Sequence, residues 1–182
     1  MRGIAKYLPV IGLSLLFAGC SVFAPSRPAD TTISPSDYNI QSNLSAKLSN
    51  SDNFPDSNIY VLVYGGRVLL TGQVLNEDLR KYMLNVTRGY PGVVRIYDYT
   101  ETRLPVSFSI KSSDAGLTTA VKSKLFAAQN MPSGNIKVET TNSVVYLLGD
   151  VTPEQGESAA KMSSIVGGVQ KVVTLFNYTE SQ

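Results

Sequence analysis

The groups in this chain that could do covalent or acid–base chemistry are few: one thiol, Cys20, and some adjacent carboxylates. Histidine is absent, which removes the commonest general base and metal ligand. Glu77 with Asp78, and Glu154 with Glu157, are pairs of the kind that general acid–base catalysis uses. Each pair opens a segment with helical patterning, where the helix dipole favours negative charge, so helix stabilisation is the reading they support. A thiolate nucleophile or a zinc site would have to use Cys20 itself. The sequence has no GxGxxG, no GxxxxGK[ST] and no GxSxG. Catalytic, cofactor and metal sites are therefore not expected, and the lone cysteine has to be explained by what surrounds it.

Residues 1–19 begin with Arg2 and Lys6, followed by an apolar run from Tyr7 to Phe17. A run of roughly a dozen residues is short of the ~20 that a membrane-spanning helix needs. It has the layout of an export signal. The stretch LFAGC, ending at Cys20, resembles a lipobox, with Phe17 where that motif usually has Leu. The resemblance implies cleavage before Cys20 and acylation of its thiol and new amino group. Each buried methylene contributes about 0.8 kcal/mol, so two or three acyl chains (palmitate among them) would anchor the protein almost permanently. Ser21 follows the cysteine. An aspartate there is the usual inner-membrane retention signal of such lipoproteins, so the expected destination is the outer membrane, on its periplasmic face. With Cys20 acylated, no thiol remains for a disulfide.

The net charge of +2 comes wholly from the signal: 16 basic residues less Arg2 and Lys6 equal the 14 acidic ones. A neutral mature chain has no long-range field to steer it to nucleic acid, and no nucleic-acid partner is expected. Residues 20–36 hold Pro25, Pro28 and Pro35 among Ser, Thr and Ala. They read as a flexible tether reaching up to about 50 Å.

Beyond the tether the chain repeats itself. In RVLLTGQV and VVYLLGDV, Val68, Leu70, Gly72 and Val74 return 77 positions later as Val145, Leu147, Gly149 and Val151, while the residues between them differ. Ile40, Leu44 and Leu48 likewise match Leu117, Val121 and Leu125. Each unit predicts an amphipathic helix (Asp37 to Ser49, Asp114 to Ala128) with an N-capping Asp, then a hairpin turned at GG or TNS. A second helix and a closing strand follow. The repeated face of the hairpin strand is expected to pack on helices and the drifting face to meet water. Gly72 and Gly149 suggest a helix backbone passing close by.

Two modules with hairpins ending in LxGxV, and with YPGV or VGGV before the last strand, resemble BON domains. Lipobox, tether and two modules together are similar to the dual BON-domain lipoproteins of bacterial outer membranes. SSDAGLTTAVKSKLF and VYGGRVLLTGQV carry most of the likeness. The resemblance implies an α+β fold with two tandem modules of order αββαβ, each with two helices on a three-stranded mixed sheet. The modules are set at 37–103 and 114–182, with 104–113 as linker.

Function is sought where the copies differ. About 100° per residue places Leu117, Val121 and Leu125 inward and Thr119, Lys122, Ser123 and Phe126 outward. The first copy has Ser42, Ser45, Ala46 and Ser49 at the corresponding outward positions. Three readings of Phe126 stand: it packs on the first module or the tether, it is an ordinary exposed apolar residue, or it enters a bilayer beside Lys122. The resemblance implies the third, since dual BON-domain lipoproteins bind anionic phospholipid through the first helix of the second module. Carried over, it assigns Gly116, Thr119, Lys122, Ser123 and Phe126, with Gly116 where relatives can carry a large aromatic. It further implies a role in envelope integrity and, as protein partner, the outer-membrane assembly machinery. The alternatives are a protein-interaction adaptor, with Phe126 as interface anchor, and a periplasmic stress-protection protein.

Overall fold

The computed structural model describes residues 35–129 and 131–180, so Cys20, the signal and nearly all of the tether lie outside the described residues. The first half runs α1 (Pro35–Leu48), β1 (Asn58–Tyr64), β2 (Arg67–Val74), α2 (Glu77–Arg88) and β3 (Arg95–Thr102). The second runs α3 (Phe108–Phe126), a short 3-10 turn (Ser133–Asn135), β4 (Ile136–Thr141), β5 (Val144–Val151), α4 (Pro153–Ser164) and β6 (Lys171–Tyr178). Each half is a three-stranded mixed sheet with the second hairpin strand in the middle, antiparallel to its hairpin partner and parallel to the closing strand.

Both hairpins turn on two consecutive residues with positive φ: Gly65 and Gly66 (57° and 70°), and Asn142 and Ser143 (52° and 61°). That is the tight turn whose twist suits a two-residue hairpin. The second helices start on side-chain caps. Asn76 accepts from the Leu79 N–H at 2.9 Å, and Thr152 forms a capping box with Gln155 behind Pro153.

The helix-facing core holds the repeated residues. Ile40, Leu44 and Leu48 pack with Val68, Leu70 and Val74 in the first module. Val121 and Leu125 pack with Val145, Leu147 and Val151 in the second. Four details differ from expectation. Asp37 and Asp114 do not cap their own helices. Asp37 accepts from the Gly65 and Gly66 N–H groups at 2.7 and 2.9 Å, and Asp114 from those of Asn142 and Ser143 at 2.8 and 2.9 Å. Each buried carboxylate thus clasps a hairpin turn to the first helix of its module.

The glycines answer to the backbone of the hairpin partner, at the first residue of β1 and at the residue just ahead of β4, and not to α1, α2, α3 or α4. A Cβ on Gly72 would sit 1.9 Å from the Asn58 carbonyl oxygen, and one on Gly149 2.0 Å from that of Asn135. The third difference is that α3 begins at Phe108, so the last six residues of the expected linker are helical.

The fourth concerns the drifting face. Leu69, Thr71 and Gln73 are fully buried, as is Leu148, and Tyr146 nearly so. The two sheets turn these faces towards each other, and Leu69, Tyr146, Leu148 and Leu175 form a third core between them. The molecule is therefore layered helix, sheet, sheet, helix. Thr141 donates to Thr71 across the seam at 2.8 Å, and the rings of Tyr99 and Tyr146 lie 5.0 Å apart. Burial, with Tyr99 and Glu101 nearby, pushes the Tyr146 hydroxyl up to about 12.

Candidate functional site

α3 buries Asp114, Leu117, Val121 and Leu125 against its module. The residues singled out in the sequence lie on the outer side: Gly116, Thr119, Lys122, Ser123 and Phe126 are all exposed, Phe126 to 74%. That exposure removes packing on the first module as an account of Phe126. A Cβ on Gly116 would meet nothing within 4 Å, so no neighbour requires glycine there. The Thr119 hydroxyl is turned back to the Ala115 carbonyl at 3.0 Å.

Charge on this helix has one accessible sign. Lys122 and Lys124 are exposed and Lys111 is half-buried, while Asp114, its single acidic residue, is buried under the hairpin turn. Glu139 of β4 alternates with the helix-facing Val138 and Thr140 and pairs with Tyr146 on the sheet's other face; burial raises its carboxyl to about 7, Lys122 opposes the rise and Asp114 adds to it.

One residue of this face escaped the sequence reading. Phe108, in the first turn of α3, is 84% exposed. Its signal is the spacing to Phe126, which is five helical turns at 100° per residue; Pro105 and the serines around it read as linker. Two depressions are lined by residues outside α3. One of about 520 Å³ lies beside Asn43, Lys47, Asn50 and Tyr90, and one of about 610 Å³ beside Asn135, Asp150, Gln155 and Glu180. Among the described residues no group of three or more acidic or cysteine side chains is placed to hold a metal ion, and no helix is long and apolar enough to cross a membrane.

The sequence pattern of the BON domain matches residues 36–103 and again 113–180, one match on each αββαβ unit. The chain belongs to the BON-domain family. Among the curated relatives of this BON-domain protein, the outer membrane lipoprotein DolP of Haemophilus influenzae is 37% identical over 125 residues, 69% of this chain and 65% of that one. The 21 kDa hemolysin of Actinobacillus pleuropneumoniae is 35% identical over 69% of this chain and 64% of its own. Osmotically-inducible protein Y of Escherichia coli is 32% identical over 75% of this chain and 69% of its own. The matched stretch spans less than two thirds of the first two relatives.

Proposed function

We propose that this BON-domain protein is a non-catalytic lipoprotein of the outer membrane, facing the periplasm and anchored by acylated Cys20. In this reading its second module binds anionic phospholipid through the outer face of α3, and it supports envelope integrity beside the outer-membrane assembly machinery. Likeness to an outer membrane lipoprotein supports the location. The observation that carries the lipid assignment is Phe126, 74% exposed on a helix whose accessible charges are all lysine. Entry of the ring into the acyl boundary removes apolar area from water, and a lysine near an anionic surface adds about 1 kcal/mol. Gly116, Thr119 and Ser123 let headgroups approach the helix between the larger side chains.

Co-sedimentation of residues 21–182, which hold both modules but no acylated cysteine, tests the lipid class. Vesicles of phosphatidylcholine alone are compared with vesicles containing phosphatidylglycerol. Sedimentation that needs phosphatidylglycerol and weakens with salt is expected. Equal recovery with both vesicles, or none with either, overturns the assignment. A stoichiometric protein complex that forms without lipid would then favour the adaptor role.

A further inference from the structure

α3 is longer than its own module requires. Its buried residues run from Asp114 to Leu125, whereas the first turns reach back to the first module. There the Lys111 Nζ donates to Asn58 Oδ1 at 3.0 Å, and the Val106 N–H just ahead of the helix donates to Gln73 Oε1 at 3.4 Å. Asn58 and Gln73 are in turn joined at 3.4 Å, side chain to side chain. The start of α3 is thus tied to the sheet of one module and its remainder packs on the sheet of the other.

This arrangement presents two phenylalanines, not one. Phe108 is 84% exposed and Phe126 74%. Eighteen residues at 100° each complete five turns, so both side chains leave the helix in the same direction, about 27 Å apart along its axis. Between them that face carries Ser112, Ala115, Thr119, Lys122 and Ser123, with no second large ring and no carboxylate.

We propose that Phe108 is a second bilayer anchor at the opposite end of α3 from Phe126, so that the helix lies along an anionic membrane surface held at both ends. The inference rests on the reading of α3 as the lipid face and fixes how that face is used. Two apolar contacts so far apart, separated by small polar residues, suit a continuous apolar layer beneath a polar one. The all-lysine accessible charge suits anionic headgroups. One inserted ring would leave the protein free to pivot; two fix its tilt. Because the start of α3 is tied to the first module, that tilt holds for the whole molecule.

The chain contains no tryptophan, so Phe108→Trp and Phe126→Trp each place a single indole at one end of the helix. Both are bound to phosphatidylglycerol vesicles whose acyl chains carry bromine as a quencher, using residues 21–182. Quenching of both indoles to a similar degree is expected, as is a loss of about tenfold in vesicle affinity for Phe108→Asp and for Phe126→Asp alike. Quenching at 126 without quenching at 108, with Phe108→Asp binding like the parent, overturns the two-ended arrangement and leaves the lipid assignment standing. Absence of quenching at both ends, with no parent protein on the vesicles, removes the lipid assignment itself.

Discussion

Arg67 of the first module and Asp150 of the second, 83 residues apart in sequence, meet at 2.6 Å across the seam between the sheets. The same guanidinium donates to the Gly149 carbonyl at 3.3 Å and lies over the Tyr64 ring at 5.3 Å. Its side chain is 12% exposed and that of Asp150 39%, so the pair is screened on one side only. With the apolar core between the sheets, this contact makes one body of two duplicated units.

Removing the arginine should therefore weaken the seam and not either module's own core. Arg67→Leu is expected to cost about 2 kcal/mol, the range for a hydrogen bond to a charged group whose partner is left behind. A double-mutant cycle with Asp150→Asn, read by urea unfolding, should return a coupling of at least about 1 kcal/mol. Additive costs would show that the pair contributes nothing beyond its separate parts.

The hairpin clasps make a second prediction. Asp37→Ala or Asp114→Ala strands two N–H groups of a turn with positive φ at both corners, and each should destabilise by about 2–3 kcal/mol. The Asn variants keep an acceptor oxygen and should cost less. Equal loss for Ala and Asn would mean that the carboxylates act otherwise than by bonding the turn.

The glycines divide by environment. Gly72→Ala would drive a Cβ into the Asn58 carbonyl at 1.9 Å from a φ of +105°, and should cost about 3 kcal/mol or more. Gly116→Ala, on an open helix surface, should instead stabilise by about 0.8 kcal/mol. Thermal unfolding of the two variants checks both signs, and a stabilised Gly72→Ala would contradict the close approach between β1 and β2.

Much of this is legible in the sequence, and what is not has physical causes. Helical spacing located Leu117, Val121 and Leu125 on the buried side and Phe126 on the open side. The starts of the second helices, capped by Asn76 and by Thr152 ahead of Pro153, rest on chemistry that is local in the chain. Leu69, Thr71 and Gln73 diverged from Tyr146, Leu148 and Asp150 because each set faces the other across the seam and must fit a partner surface, which drift alone would also produce. An Asp ahead of a helical stripe looks the same whether it caps that helix or clasps a turn some 28 residues on, as Asp37 does for Gly65. Phe108 was hidden by Pro105 and by serines that suit a linker and a helix start equally well.

Glu139 predicts a pH dependence. Its folded-state value of about 7 stands above the ordinary 4.5 because burial disfavours the charged form. The folded protein then holds a proton that the unfolded chain releases, so this group's contribution is complete below about 4.5, declines as pH rises towards 7 and levels off beyond. Glu139→Gln, which cannot ionise, should gain stability over the parent progressively from pH 5 to pH 8. Urea midpoints that stay parallel across that range would contradict the assignment. Lys122→Ala should raise the Glu139 carboxyl further, since an attraction that lowers it is lost.

The most direct test of the central claim asks which module meets the bilayer. Phe126→Asp on α3 is compared with Tyr38→Asp on α1, whose ring is 62% exposed on the opposite outer layer, by co-sedimentation with phosphatidylglycerol vesicles. Loss of binding in Phe126→Asp, with Tyr38→Asp retained like the parent, is the predicted result. Retention of Phe126→Asp, or equal loss in both variants, would contradict a membrane face on the second module.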